Sequence, residues 1–307
     1  MKVEKYVKVK NDLRRLEDLN KAVKKYKIRR GAAFSILVQK KVSYVRRNYH
    51  KFERRAEEIL EYWEANKAFP SWLKLPPAMK LRLLFKAMGM SRKRIAKVLK
   101  NPEEFSEFED LIYDAIYRDY VYSPIATENL AARGKIGEKI VENYLRMRGV
   151  DFISEREIQG DRTPDFLIQE EMKIRGRIVR WIESKSMFGD IFAYEDNLSQ
   201  FEKYSSEFGE GAVIFWHGFL DVLKDKDFLI ISDIGYSSRE KRFLKDMIVT
   251  INDDGEFSWK GGEEIRSGKF VKELIRFFKS CSTSIAAAEE KMVVKKALEK
   301  FGYVVIA

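Results

Sequence analysis

Two extended apolar runs separated by a short turn place the strongest constraint on how this chain can fold. Phe166–Ile168 and Ile178–Ile182 have the apolar character of buried strands, and Gly176 lies between them. Glycine adopts the backbone conformations that tight turns require, so the pattern predicts a β-hairpin. Asp165 directly precedes the first run, and Glu183 directly follows the second. We therefore expect the hairpin to carry acidic side chains near one end.

The chemistry of these acids depends on the strand repeat. Residues two apart on a strand project from the same face, so Glu183 and Lys185 should point together, with Asp165 in reach from the partner strand. Two carboxylates suit a hard divalent cation such as Mg²⁺ or Mn²⁺, and an ammonium can orient a water or offset charge on a phosphate. The alternative is a chance pattern of surface charges, since 35% of the residues are charged.

Composition restricts the class of protein. The 307 residues are enough for two domains, and an apolar content of 45% is sufficient for a sizeable core. No apolar run approaches the ~20 residues of a membrane span, and the first residues lack the apolar segment of a signal peptide. Cys281 is the only cysteine, which excludes an intramolecular disulfide and a thiolate zinc cluster. These features favour an intracellular, cytoplasmic protein (nuclear if eukaryotic) without a membrane partner. The abundance of Lys, Arg and Glu resembles the surface of a thermophile's protein.

The positive charge is concentrated in the first part of the chain. Residues 1–120 contain 30 Lys and Arg against 16 Asp and Glu, a net charge of +14, whereas the remainder contains 29 against 32, a net charge of −3. Such an excess points to a polyanion, most simply DNA, with RNA left open. The alternative is a soluble basic helical domain without a ligand.

The basic part is predicted to be entirely helical. Apolar residues recur at helical spacing in residues 11–27, 32–39 and 42–66. The last of these helices carries Arg46 and Arg47 in its opening turns. A short helix, a break and a longer basic helix give a first candidate helix-turn-helix, with the two arginines as nucleic-acid contacts.

A second helix-turn-helix candidate follows. Pro76 and Pro77 should start a helix that ends before Gly89, and Ser91 should cap the next helix, residues 92–100. The alternative is an ordinary helical hairpin with a solvated basic face. The side chains of this second helix that we expect to contact nucleic acid are Arg92, Lys93, Arg94 and Lys97.

A boundary near Tyr122 divides the chain into a basic domain, residues 1–122, and a second domain, residues 123–307. In the second domain the pattern predicts a helix from Thr127 to Arg148, whose Gly134 and Gly137 permit close packing against a sheet. Three strands follow, then a helix at residues 197–208 and buried strands at 212–216 and 228–231. In the tail we expect helices at 269–280 and 286–301.

The order helix, three strands, helix, strand predicts an α/β layer fold with a mixed sheet. The positions of its acids, and Gly-x-x-Gly-Glu in the helix before them, resemble the PD-(D/E)xK nuclease superfamily. Thr163-Pro164-Asp165 with Ile182-Glu183-Ser184-Lys185, after a basic helical half, resembles the narrower TPD-motif family, which has archaeal and animal members. The resemblance implies a restriction-endonuclease-like C-terminal domain, a mixed sheet flanked by helices, after an all-α N-terminal helix-turn-helix domain. It also implies Mg²⁺ or Mn²⁺.

The resemblance also implies residue roles. Asp165 and Glu183 correspond to metal ligands, and Lys185 to the catalytic lysine. Glu138 corresponds to a further acid that supports catalysis and assists the metal directly or through water. Gln200 and Tyr204 resemble a supporting Gln-x-x-x-Tyr element on the next helix.

Together these patterns predict a metal-dependent nuclease that hydrolyses DNA phosphodiester bonds. The alternative is a catalytically silent DNA-binding or scaffold protein that uses the nuclease-like domain for docking. His217 follows a buried strand, and we expect it to be structural rather than catalytic.

Overall fold

A computed structural model of the protein describes residues 1–155, 157–158, 163–224, 227–232 and 234, and the backbone of short strands at 248–251, 257–258 and 304–306. The tail helices predicted at 269–280 and 286–301, and Cys281, lie outside the described residues. The helices described are α1 (Val3–Asp12), α2 (Asp18–Tyr26), α3 (Arg30–Glu53), α4 (Ala56–Asn66), α5 (Pro77–Ala87), α6 (Arg92–Lys100), a 3₁₀ helix (Pro102–Phe108), α7 (Glu109–Arg118), α8 (Pro124–Met147) and α9 (Ile191–Phe208). The strands described are β1 (Phe152–Ser154), β2 (Phe166–Ile174), β3 (Arg177–Lys185), β4 (Gly211–Phe215), β5 (Phe228–Ile231), β6 (Ile248–Ile251), β7 (Phe257–Ser258) and β8 (Val304–Ile306).

The first five strands form one mixed sheet in the order β1-β2-β3-β4-β5. β2 pairs antiparallel with β1 and β3, whereas β4 pairs in parallel with β3 and β5. The β2–β3 turn places Arg175 at φ 51° and Gly176 at φ 83°. Two consecutive positive φ angles are the backbone of a type I′ turn, whose twist matches that of the strands. The predicted hairpin and mixed sheet are confirmed.

Helices flank this sheet. On one face, the ring of Trp181 in β3 stacks on Phe201 of α9 at a centroid distance of 6.4 Å and meets Tyr204 edge-on at 5.3 Å. On the other, Trp216 donates a hydrogen bond to Ser184 Oγ at 2.8 Å beside α8. Because helices cover the sheet, the end of β3 is buried continuously from Trp181 to Ser184.

Of the two glycines predicted to allow close packing of α8 against the sheet, only Gly137 lies where a side chain would not fit. A Cβ added to Gly137 would lie 2.6 Å from Trp216 Nε1 and 2.8 Å from Ser184 Oγ, whereas a Cβ on Gly134 would meet nothing within 4 Å. We expect Gly137→Ala to lower the free energy of unfolding by about 1–3 kcal/mol through overpacking.

Gly134→Ala is the matched control on the same helix, and we expect it to be neutral or stabilising by up to about 1 kcal/mol because alanine is the better helix former. Urea unfolding of both variants measures the difference. Equal effects of the two substitutions would contradict the close approach at Gly137.

The helices of the basic part differ from prediction at two places. The single helix predicted at residues 11–27 is wrong, because α1 ends at Asp12 and α2 begins at Asp18. α3 runs continuously through residues 40–41, and the chain breaks instead at residues 54–55. The first candidate helix-turn-helix, which required a break before a helix at residue 42, is therefore wrong. The buried face of α3 continues past Lys40 and Lys41, because Val38 before them and Val45 after them are both buried.

The second pair of helices has the predicted bounds. α5 starts with Pro77 at its first turn, and Gly89 takes the left-handed backbone after it, at φ 83°. Ser91 caps α6 by accepting a hydrogen bond from the backbone N–H of Arg94 at 3.3 Å. α8 begins earlier than predicted, because Ser123 rather than Thr127 accepts the capping hydrogen bond, from Ala126 N at 3.1 Å.

Contacts divide the described residues differently from the boundary expected at residue 122. Residues 1–36 and those from 131 onward form one compact unit, and residues 37–130 form another. The first helix joins the unit of the sheet because the Tyr6 hydroxyl donates a hydrogen bond to Asp190 Oδ2 at 2.5 Å and its ring stacks on Phe188 at 5.8 Å. α1 was not expected from the sequence, since its apolar content is low.

Among the described residues, no helix is both long enough and apolar enough to cross a lipid bilayer.

Candidate active site and nucleic-acid interface

The open end of the β2–β3 hairpin brings together the three residues of the predicted centre. Asp165 Oδ2 accepts a hydrogen bond from the backbone N–H of Ser184 at 2.6 Å, and Glu183 Oε2 accepts one from the backbone N–H of Asp165 at 3.3 Å. Lys185 Nζ lies 2.6 Å from Glu183 Oε1. The register explains this geometry, because Phe166 is opposite Ile182, and in an antiparallel pair Asp165 before Phe166 lies beside Glu183 after Ile182.

The surroundings of both carboxyl groups disfavour their ionised form. Glu183 is only 3% exposed. Burial raises the pKa of Glu183, and the charge of Lys185 opposes that rise. Burial also raises the pKa of Asp165 well above its usual range, and the negative charges of Glu183 and Glu138 add to the effect. Two crowded acids with raised pKa values are typical of functional sites.

Two further carboxylates act on this centre. Glu138 on α8 contributes negative charge at Asp165. Glu155, which sequence reasoning missed, follows β1, donates its backbone N–H to the Asp165 carbonyl at 3.0 Å, and raises the pKa of Glu183 by its charge. The β1–β2 pairing puts Glu155 beside Asp165, a proximity that depends on strand register and leaves no signal in a single sequence.

The Gln-x-x-x-Tyr element lies where α9 meets the Thr163–Asp165 segment. The Gln200 amide donates a hydrogen bond to the Tyr204 hydroxyl, which donates one to the Thr163 carbonyl at 2.6 Å. Burial, reinforced by the charge of Glu183, raises the pKa of Tyr204. The pair therefore fixes the backbone just before Asp165 and places a neutral hydroxyl near the acids.

The donor set suits a hard divalent cation. Asp165 and Glu183 offer oxygen atoms at the end of one hairpin, and Asp165 Oδ1 accepts no hydrogen bond within the described part of the chain. No group of three or more His, Cys, Asp or Glu side chains in the described residues is arranged as a complete metal cage. Mg²⁺ is commonly held by one or two carboxylates with water and substrate phosphate, and two acids meet that need.

The predicted nucleic-acid contacts lie in the unit formed by residues 37–130. A cavity of about 380 Å³ at the start of α6 is lined by Lys93, Arg94 and Lys97 with Ser91, Val98 and Glu104. Arg92, Lys93 and Arg94 are exposed, whereas Lys97 forms an ion pair with Glu104 at 2.7 Å. Arg46 and Arg47 are exposed on α3.

His217, which we expected to be structural, is buried. It is 4% exposed, and its Nε2 lies 2.6 Å from an Arg133 guanidinium nitrogen. Burial and the charge of Arg133 lower the pKa of His217 well below its usual range, so the neutral ring accepts this hydrogen bond.

The fold and the centre define an α/β domain with a mixed sheet and a carboxylate pair beside a lysine. Residues 104–234 match a family model described as "Protein of unknown function TPD sequence-motif". The chain is 32% identical to the human and mouse proteins named "CDAN1-interacting nuclease 1" over 139 residues, which cover 43% of this chain and 50% of each relative.

The zebrafish protein of the same name is 31% identical over 193 residues, covering 59% of this chain and 63% of that protein. The chain thus spans about half the length of the curated mammalian relatives it matches. No solved structure matches the chain.

Proposed function

We propose that the chain is a divalent-metal-dependent nuclease of the PD-(D/E)xK type that hydrolyses DNA phosphodiester bonds. One observation carries the proposal: Asp165, Glu183 and Lys185 meet at the end of one hairpin, with Lys185 Nζ 2.6 Å from Glu183 Oε1. The named relatives support the same class of activity.

In this proposal Asp165 and Glu183 hold Mg²⁺ or Mn²⁺, and Glu138 assists directly or through water. The bound cation would polarise the scissile phosphate and lower the pKa of a water. Lys185 positions the attacking water and offsets the negative charge that develops on the phosphate. Tyr204 and Gln200 keep the backbone before Asp165 in place through the Thr163 carbonyl.

A docking module is the second candidate, and one observation favours it. The ion pair with Lys185 already occupies one carboxylate oxygen of Glu183, a proposed metal ligand. Titration with Mn²⁺ in a calorimeter separates the two functions. A nuclease should bind Mn²⁺, and Asp165→Asn should weaken that binding. A docking module should show no binding that depends on Asp165.

DNA binding is proposed for the basic helix α6. If Arg92, Arg94 and Lys97 contact only phosphates, replacing all three with Ala should weaken binding to all sequences alike and lower the slope of log affinity against log salt by up to about 3. If one reads a base edge, the loss should instead be roughly 1–3 kcal/mol at a single base pair. The measurement is duplex binding across a salt series. An unchanged slope would remove α6 from the interface.

A further inference from the structure

The excess positive charge is not confined to the unit that holds α6. Residues 1–36 contain 12 Lys and Arg against 4 Asp and Glu, a net charge of +8, whereas residues 37–130 contain 18 against 13, a net charge of +5. Residues 1–36 belong to the unit that holds Asp165 and Glu183. The most basic segment of the chain therefore belongs to the same compact unit as the proposed active site.

Half of the 12 Lys and Arg residues of this segment lie on α1 and α2, and the C-terminal ends of these two helices contact each other. The Tyr26 hydroxyl of α2 donates to Asp12 Oδ2 at 2.7 Å, and Lys25 Nζ forms an ion pair with the same carboxylate at 2.8 Å. Lys25 is therefore paired, but other cations of these helices are exposed. Lys8, Lys21 and Lys24 are exposed and form no ion pair with any described residue.

α1 is anchored to the segment that follows the proposed catalytic lysine. β3 ends at Lys185, and the segment that follows contacts α1 within a few residues. The Tyr6 ring stacks on Phe188, and the Tyr6 hydroxyl hydrogen-bonds to Asp190, the residue that caps α9. Any strand of nucleic acid bound along α1 would therefore lie near the end of β3.

An exposed aromatic ring lies at the same junction. Phe192, in the first turn of α9, is 51% exposed, and its neighbour Ile191 is 42% exposed. Lys10 Nζ of α1 lies 5.1 Å from the centroid of the Phe192 ring. A lone exposed apolar residue is unremarkable, but an exposed aromatic ring beside a lysine combines the two kinds of group that bind the bases and the phosphates of single strands.

We propose that α1, α2 and Phe192 form a binding surface for single-stranded nucleic acid, with the Phe192 ring stacking on a base and Lys8, Lys21 and Lys24 neutralising phosphates. The role of this surface rests on the proposed nuclease function, because we expect the surface to bring a single strand to the proposed active site at the end of β3. A duplex keeps its bases stacked internally and cannot use the ring.

The test measures binding by the full-length chain in a Lys185→Ala background, in which we expect cleavage to be about 100- to 1,000-fold slower. The probes are a labelled oligothymidylate and a labelled duplex across a salt series. Phe192→Ala should weaken single-strand binding about 5- to 150-fold and leave duplex binding unchanged. Replacing Lys8, Lys21 and Lys24 with Gln should lower the single-strand salt slope by up to about 2.

Two controls make the result specific. Phe192→Trp should retain single-strand binding, and Tyr62→Ala, at a ring 41% exposed on α4, should change nothing. Unchanged single-strand affinity of Phe192→Ala, or equal losses on both probes, would overturn the inference. Cleavage by the chain with Lys185 intact tests the nuclease function separately. Phe192-dependent binding without cleavage would support the binding surface and contradict the nuclease function. Cleavage together with binding that does not depend on Phe192 would support the nuclease function and contradict the binding surface.

Discussion

Asp165→Asn and Glu183→Gln are each expected to slow nucleic-acid cleavage by about a thousand-fold or more. Each substitution removes a charged oxygen ligand, and a bound metal contributes several kcal/mol of transition-state stabilisation, at 1.36 kcal/mol per tenfold in rate. The amide of asparagine can still accept the hydrogen bond from Ser184 N, so the hairpin should persist. Glu170→Gln, at an exposed carboxylate on β2, is the matched control and should cleave normally.

The same Asp165→Asn substitution should stabilise the fold in metal-free buffer at alkaline pH. Because the pKa of Asp165 is raised in the folded protein, this group contributes stability below its ordinary pKa and loses it as the pH rises through the folded value. Asparagine removes that loss. The free energy of unfolding of the variant should therefore exceed that of the wild type at pH 8, and the difference should shrink towards pH 4.

Denaturant unfolding with chelator at both pH values measures this difference, with Glu170→Gln again as the control. A variant that is less stable than the wild type at pH 8 would contradict the crowding of Asp165 and Glu183.

Lys185→Ala should lose catalysis but keep the metal. An ammonium is not a metal ligand, so Mn²⁺ binding measured by calorimetry should persist in the variant. Removing the charge of Lys185 should raise the pKa of Glu183, so the measurement is made at pH 8 to favour the ionised carboxylate. Turnover should fall about 100- to 1,000-fold, the cost of removing one group that stabilises developing charge. Loss of Mn²⁺ binding together with turnover would show that Lys185 organises the acids instead of acting on the phosphate.

The hairpin and its acids could be predicted because their signals are local. Gly176 marks the turn, and the strand repeat puts Glu183 and Lys185 on one face, so the short Lys185–Glu183 contact follows from spacing. Gly137 next to Glu138 indicated a close approach of α8 to the sheet, and in the structure Gly137 does lie against Ser184 and Trp216.

The features that were missed depend on tertiary contacts. α1 has few apolar residues, and its place in the unit of the sheet depends on Tyr6, whose partner Asp190 is far along the chain. The break predicted between residues 39 and 42 does not occur, because a continuous helix tolerates Lys40 and Lys41 where neighbouring positions supply its buried face. Glu155 entered the centre only through the pairing of β1 with β2.

The most direct test of the proposed function is cleavage of end-labelled single-stranded, duplex and branched DNA and of RNA with Mg²⁺ or Mn²⁺, by wild-type protein and Asp165→Asn side by side. We expect the wild type to cut at least one of the DNA substrates, chelator to stop the reaction, and the variant to be about a thousand-fold slower. Folded wild-type protein that cuts none of them, or a variant that cuts as fast as the wild type, would contradict a metal-dependent nuclease centred on Asp165 and Glu183.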